Sequence, residues 1–218
     1  MKKQDLYNHV SEYFRTEMPE AKSELYFDNN FQLLVAVMLS AQCTDKRINE
    51  VTPALFKAFP NPQSLASATQ DDVYAYIKSV SYPNSKARRL TEMAKVLHET
   101  YNGEVPDEME LLTALPGVGR KTANVVLSVA FGKPTMAVDT HVFRVSHRIG
   151  LVADSCTTPL AVERTLTRYF KAEDLPSAHH WLLLHGRYVC TARKPKCKTC
   201  GVQDVCRFYK NTFIHEEK

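Results

Sequence analysis

Residues 115–126 read LPGVGRKTANVV. Pro116 pre-sets φ for the first corner of a tight turn. Gly117 can take the positive φ that follows, and Gly119 has no side chain to keep a backbone or a ligand away. From Arg120 to about Phe131 the spacing is helical. Ala123, Val126, Leu127 and Ala130 share one face, while Lys121, Asn124 and Ser128 point the other way. The preceding EMELLTAL (108–115) reads as a short helix, so the segment forms a helix, a hairpin and a second helix. The amides opening that second helix, with its dipole, suit an anion, most naturally a phosphate. Pro116, Gly117, Val118 and Gly119 are the candidate contacts. A ligand-free corner between two helices has the same turn chemistry.

Outward from the hairpin, helical periodicity continues in both directions, and no stretch alternates at period two for long enough to demand a sheet. Leu6, Val10, Tyr13 and Phe14 mark a first helix that Pro19 ends. Asn29 or Asn30 caps a buried helix through 31–42. A helix over 44–58 is kinked or divided by Pro53, and further helices cover 71–79, 84–100, 140–149, 159–170 and 176–189. The fold class is therefore all-α. The 218 residues fit one large domain or two small ones. The N-terminal MKKQDLYNHVSEYF lacks the apolar stretch of a signal peptide. The longest apolar run, FQLLVAVML at 31–39, is too short to span a bilayer. A cytoplasmic protein with no membrane partner is expected.

The formal net charge is +4, but residues 186–210 alone carry a surplus of +6. Such a patch suits a polyanion, or is simply a solvated basic face.

Lys121 admits three readings: a solvated surface lysine, a phosphate contact or a nucleophile. A nucleophilic amine must be neutral against an ordinary pKa of about 10.4. The helix N-terminus, neighbouring Arg120 and partial burial all disfavour the cation. A carboxylate follows at Asp139 in MAVDTHVFRVSHRIG (136–150), where a plain helix N-cap is the competing reading. On that helix His141, Arg144 and Arg148 line up at i, i+3 and i+7, along a phosphate backbone or as a solvated face.

Four of the six cysteines cluster as Cys190-x6-Cys197-x2-Cys200-x5-Cys206. Clustered thiols without a secretory context read as a metal site. Structural zinc usually draws on two C-x2-C knuckles, and only one is present, so the spacing favours iron–sulfur over zinc. The x6 loop, TARKPK, presents Arg193 and Lys194 to a phosphate partner. The metal is read as structural.

Together LPGVGRKTANVVLSVAFGKPTMAVDTHVFRVSHRIG, HHWLLLHGRYVCTARKPKCKTC with its fourth cysteine, FQLLVAVMLSAQCTDKRIN and NSKA resemble the endonuclease III family of DNA glycosylases, from about residue 24 to 207. The resemblance implies a two-domain helix–hairpin–helix glycosylase architecture with a C-terminal iron–sulfur cluster loop and DNA in the cleft. Residues 22–132 would form a six-helix domain with the hairpin, and 1–21 plus 133–218 the cluster domain. It further implies that Lys121 is the nucleophile, Asp139 the essential aspartate, and Cys190, Cys197, Cys200 and Cys206 the ligands of a 4Fe–4S cluster. Gln42 would fill the gap left by an extruded base. The implied activity is excision of oxidised pyrimidines from duplex DNA by a monomer, with lyase cleavage of the abasic site. One departure stands out. Where the family pattern has a glycine, a hydrophobic residue and an aromatic before NSKA, this chain has Ser81, Tyr82 and Pro83, with Tyr82 in the place of a second wedge. Cys43, beside Gln42, reads as a small buried residue. A mismatch adenine glycosylase is the nearest rival, but that family typically lacks a lysine at position 121. A non-enzymatic helix–hairpin–helix module and a zinc-stabilised interaction domain are the others.

Overall fold

The computed structural model describes residues 1–214; residues 215–218, the end of the expected cluster domain, lie outside the described residues. Among the described residues the regular structure is entirely helical, and no helix is long and apolar enough to cross a membrane. The chain divides into two compact units, Ser23–Gly132 and Met1–Lys22 with Lys133–Lys218.

The continuous unit is built around α2 (Asn30–Ser40), whose residues Phe31 to Leu39 are all buried. Asn29 caps it, its Oδ1 accepting from the Gln32 amide at 2.9 Å. Around it lie α3 (Asp45–Ala58), α6 (Pro83–Thr100) and α8 (Arg120–Phe131), while α4 (Pro62–Ala66) and α5 (Gln70–Ile77) pack on α6. Pro53 does not divide α3, which runs through it. The short α7 (Met109–Ala114) leads into the hairpin. On α8 the buried set runs from Ala123 to Ser128 and includes Asn124 and Ser128. The expectation that these two polar residues face outward with Lys121 is thus corrected. Helical spacing fixes which residues share a face, but not which faces become covered.

The other unit joins the two ends of the chain. Helix α1 (Lys3–Glu17) packs on α11 (Leu175–Tyr188), which packs on α9 (Thr140–Ile149), with α10 (Pro159–Tyr169) and the short α12 (Arg207–Tyr209) against α9. Burial ties α1 there: Phe14 stacks on Trp181 with centroids 6.0 Å apart, and both are almost wholly buried. A side chain of that kind contributes roughly 1.5–3 kcal/mol. Polar anchors fix the register. Tyr7 Oη donates to the Leu151 carbonyl at 2.7 Å, and Trp181 Nε1 donates to that of Met18 at 3.0 Å. Arg15 forks onto buried Asp174 at 3.0 and 2.6 Å.

Candidate functional site

The hairpin is a type II turn. Val118 N–H donates to the Leu115 carbonyl at 3.1 Å, and Gly117 sits at φ +80°. A Cβ on Gly117 would lie 3.0 Å from atoms of Arg89 and Met38, so both backbone and space demand glycine. The Val118 amide is spent on the turn and its side chain is buried, while Pro116 has no N–H to offer. Gly117 and Gly119, both exposed, stay the candidate backbone contacts for an anion, together with the first turn of α8. Gly119 is the N-cap of α8 with extended backbone and no side-chain cap, and a Cβ built there meets nothing within 4 Å. The mouth of this helix is open.

Lys121 stands in that first turn and is exposed, as are Gly119 and Arg120. Partial burial, expected to help neutralise the amine, is therefore absent in the protein without DNA.

Asp139 caps α9. Its Oδ1 accepts from the Val142 amide at 2.7 Å, and its Oδ2 lies 3.2 Å from His141 Nδ1. Burial by itself would raise this carboxyl. The Val142 amide and the nearby His179 and His141 outweigh that and hold it below the ordinary carboxylate range. His179, buried on α11, donates from Nδ1 to the Ala137 carbonyl at 2.8 Å. Residues 137–139 and α11 are thus one construction, a role that the sequence HHW does not disclose.

The line of His141, Arg144 and Arg148 does not form one free basic edge. Arg144 donates to the carbonyls of Gly186 (2.8 Å) and Cys190 (3.2 Å). Arg148 donates to those of Thr191 (2.8 Å) and Ala192 (2.9 Å) and lies 4.7 Å from the Phe208 ring centroid. These arginines staple the loop that opens the cysteine cluster to α9. Of the three, only His141 turns to the aspartate. Gly186 lets the helices close, since a Cβ there would meet His141 Cβ at 2.9 Å. Arg193 and Lys194 remain exposed on the loop, which Thr191 Oγ1 fastens to the Lys194 carbonyl at 2.7 Å.

Cys190, Cys197, Cys200 and Cys206 are free thiols lining one cavity. Among the described residues no group of three or more His, Cys, Asp or Glu is arranged to hold one metal ion. A single zinc needs its thiolates at about 2.3 Å from one centre. A polynuclear cluster gives each cysteine its own iron and so takes a wider ligand frame. Four thiols lining one cavity fit a four-cysteine cluster. Burial pushes the Cys200 thiol up to about 11 and raises Cys197 and Cys206 as well.

Gln42 and Tyr82 are both exposed and both left-handed, at φ +56° and +54°. They line one depression of about 660 Å³ with Arg89 and Gly117. Tyr82 is the N-cap of α6, and Pro83 takes its first position, where a proline costs no hydrogen bond. Cys43 is only half-buried rather than buried. Sequence reasoning gave no role to Lys86. It lies buried, with Nζ donating to the carbonyls of Leu39 (2.8 Å) and Ala41 (2.7 Å) at the end of α2.

Comparison with known proteins agrees with this geometry. Residues 35–172 match the model of the HhH-GPD superfamily base excision DNA repair proteins, and residues 190–206 that of the iron–sulfur binding domain of endonuclease III. The chain is 46% identical to endonuclease III of Rickettsia felis over 95% of its own length and 96% of that protein's. It is 45% identical to that of Escherichia coli, over 92% and 94%. Among solved structures, a trapped endonuclease III–DNA covalent intermediate superimposes with a TM-score of 0.91 at 41% identity, covering 97% of this chain and 98% of that one. A non-covalent endonuclease III–DNA complex does so with 0.91 at 39%, covering both chains fully. The cofactor is accordingly a 4Fe–4S cluster.

Proposed function

This chain belongs to the endonuclease III family of base excision DNA repair proteins, and from that premise we propose that it is a bifunctional glycosylase and abasic-site lyase acting on oxidised pyrimidines in duplex DNA. The observation that carries the reading is Lys121, an exposed amine in the first turn of a helix whose mouth is open to phosphate.

The amides at the start of α8 grip the sugar–phosphate backbone, and Arg193 and Lys194 add sequence-independent attraction. The damaged nucleotide leaves the stack, since C1′ is out of reach inside it. Gln42 and Tyr82 occupy the vacated space, the tyrosine ring stacking on a neighbouring base. Neutral Lys121 Nζ attacks C1′; the glycosidic bond breaks and the base leaves with the electron pair and a proton. The sugar ring opens to an imine linking Nζ to C1′. The imine acidifies C2′; loss of that proton expels the 3′ phosphate, and water then releases the lysine. Asp139, held as a carboxylate, is a weak base. We therefore assign it to stabilising the positive charge on the sugar and imine rather than to deprotonating the lysine. Cys190, Cys197, Cys200 and Cys206 would hold the cluster, which when bound supplies rigidity to the basic loop and no chemistry on the DNA.

The test is a panel of duplexes carrying thymine glycol, 5-hydroxycytosine, 8-oxoguanine or an adenine mismatch. Base release and nicking are expected on the first two. Release of adenine alone, with the strand left intact, overturns the reading.

A further inference from the structure

We infer that Ser81 is a positioning residue that joins Gln42 and Tyr82 into one unit and thereby sets how the enzyme discriminates the base opposite the lesion. The inference rests on the proposed entry of Gln42 and Tyr82 into the duplex.

The end of α2 is closed by side chains. Ser40 Oγ donates to the Val37 carbonyl at 2.8 Å, and the Cys43 amide to that of Ser40 at 3.0 Å. Lys86 takes the carbonyls of Leu39 and Ala41. These bonds leave the carbonyl of Gln42, a residue in a left-handed conformation that an L residue adopts at a cost of roughly 1–2 kcal/mol. The donor that meets its carbonyl is Ser81 Oγ, at 2.5 Å. The next residue in the chain is Tyr82, also left-handed, whose carbonyl receives the Lys86 amide at 3.1 Å as α6 begins. One hydroxyl therefore spans 39 positions of sequence to tie together two strained, exposed residues on the same depression.

Two side chains that enter a duplex separately adapt to whatever base they meet. Two held at a fixed spacing fit some opposing bases better than others, because accommodating a poor fit must distort both loops. An alanine or glycine at 81 has no hydroxyl and leaves the Gln42 carbonyl to water, uncoupling the pair without removing either one.

The test uses the full-length protein and four duplexes with the same lesion opposite A, C, G or T, read as single-turnover base release. Ser81→Ala should narrow the spread between the fastest and slowest opposing base by about fivefold, the scale of one hydrogen bond. Ser81→Thr should restore it. In a Gln42→Ala background, Ser81→Ala should change nothing further. A wild-type spread in Ser81→Ala, with Gln42→Ala altered, overturns the inference and leaves the functional reading standing. A uniform loss at all four bases with a lowered melting temperature overturns it too, as the mark of a merely structural role. A wild-type spread in Gln42→Ala overturns the entry of Gln42 itself.

Discussion

Two helices of this chain begin in opposite ways. Helix α9 is sealed by its own residue: the Asp139 carboxylate accepts the Val142 amide, and the helix needs no outside anion. Helix α8 begins at Gly119 with no side-chain cap and open space where a side chain would sit. An aspartate or serine at such a position ordinarily satisfies amides that glycine leaves to solvent. In the proposed reading the uncapped start gives up local stability for a phosphate, and the sealed one is where a carboxylate is kept charged and still. In the proposed chemistry the first holds phosphate and carries the nucleophile, while the second stabilises the cation that the nucleophile creates.

The contrast can be broken at each end. Asp139→Asn keeps an oxygen for the cap but removes the charge. Base release should fall by about 10²–10³-fold, the scale of a lost electrostatic stabiliser, with melting at neutral pH lowered only modestly; single-turnover kinetics beside thermal denaturation measures both. Gly119→Asp makes α8 resemble α9. DNA affinity should weaken by about 10- to 100-fold on every sequence alike, since the new carboxylate occupies the phosphate's place, while stability rises by a few tenths of a kcal/mol, about the margin of a better N-cap over glycine. Titration at fixed salt and urea melts would show the two moving in opposite directions. Gly117→Ala strains the φ of +80° and crowds Arg89 and Met38, costing about 1–3 kcal/mol in a chemical melt. The smallest effect is one of pH. The Asp139 pKa is lowered by folding, so its contribution is complete above the unfolded value of about 3.9 and is lost as pH falls through the lower folded value. As pH falls below about 4, Asp139→Asn should lose less stability than the wild type.

The hairpin was legible because its constraints are local: a proline and a glycine at successive corners specify the turn with no help from elsewhere. The long helices were legible for the same reason, and so was the cysteine spacing. The five-residue α4 has too few turns to show a period. The faces of α8 needed tertiary knowledge, since Asn124 and Ser128 are polar yet covered. The basic residues were the hardest to read. Charge in a sequence says nothing of destination: Arg144 spends its donors on α11 and the cysteine loop, Arg148 on that loop, and Lys86 on the end of α2. Ser81 carried no signal of a partner 39 residues away.

The central claim is that the Lys121 amine bonds to the sugar. Borohydride reduction of the protein on an abasic duplex, followed by proteolysis and mass spectrometry, tests it directly. The account predicts one cross-linked peptide with the adduct on Lys121 and no trapping by Lys121→Ala. An adduct mapped to another amine, or trapping undiminished in Lys121→Ala, would contradict it.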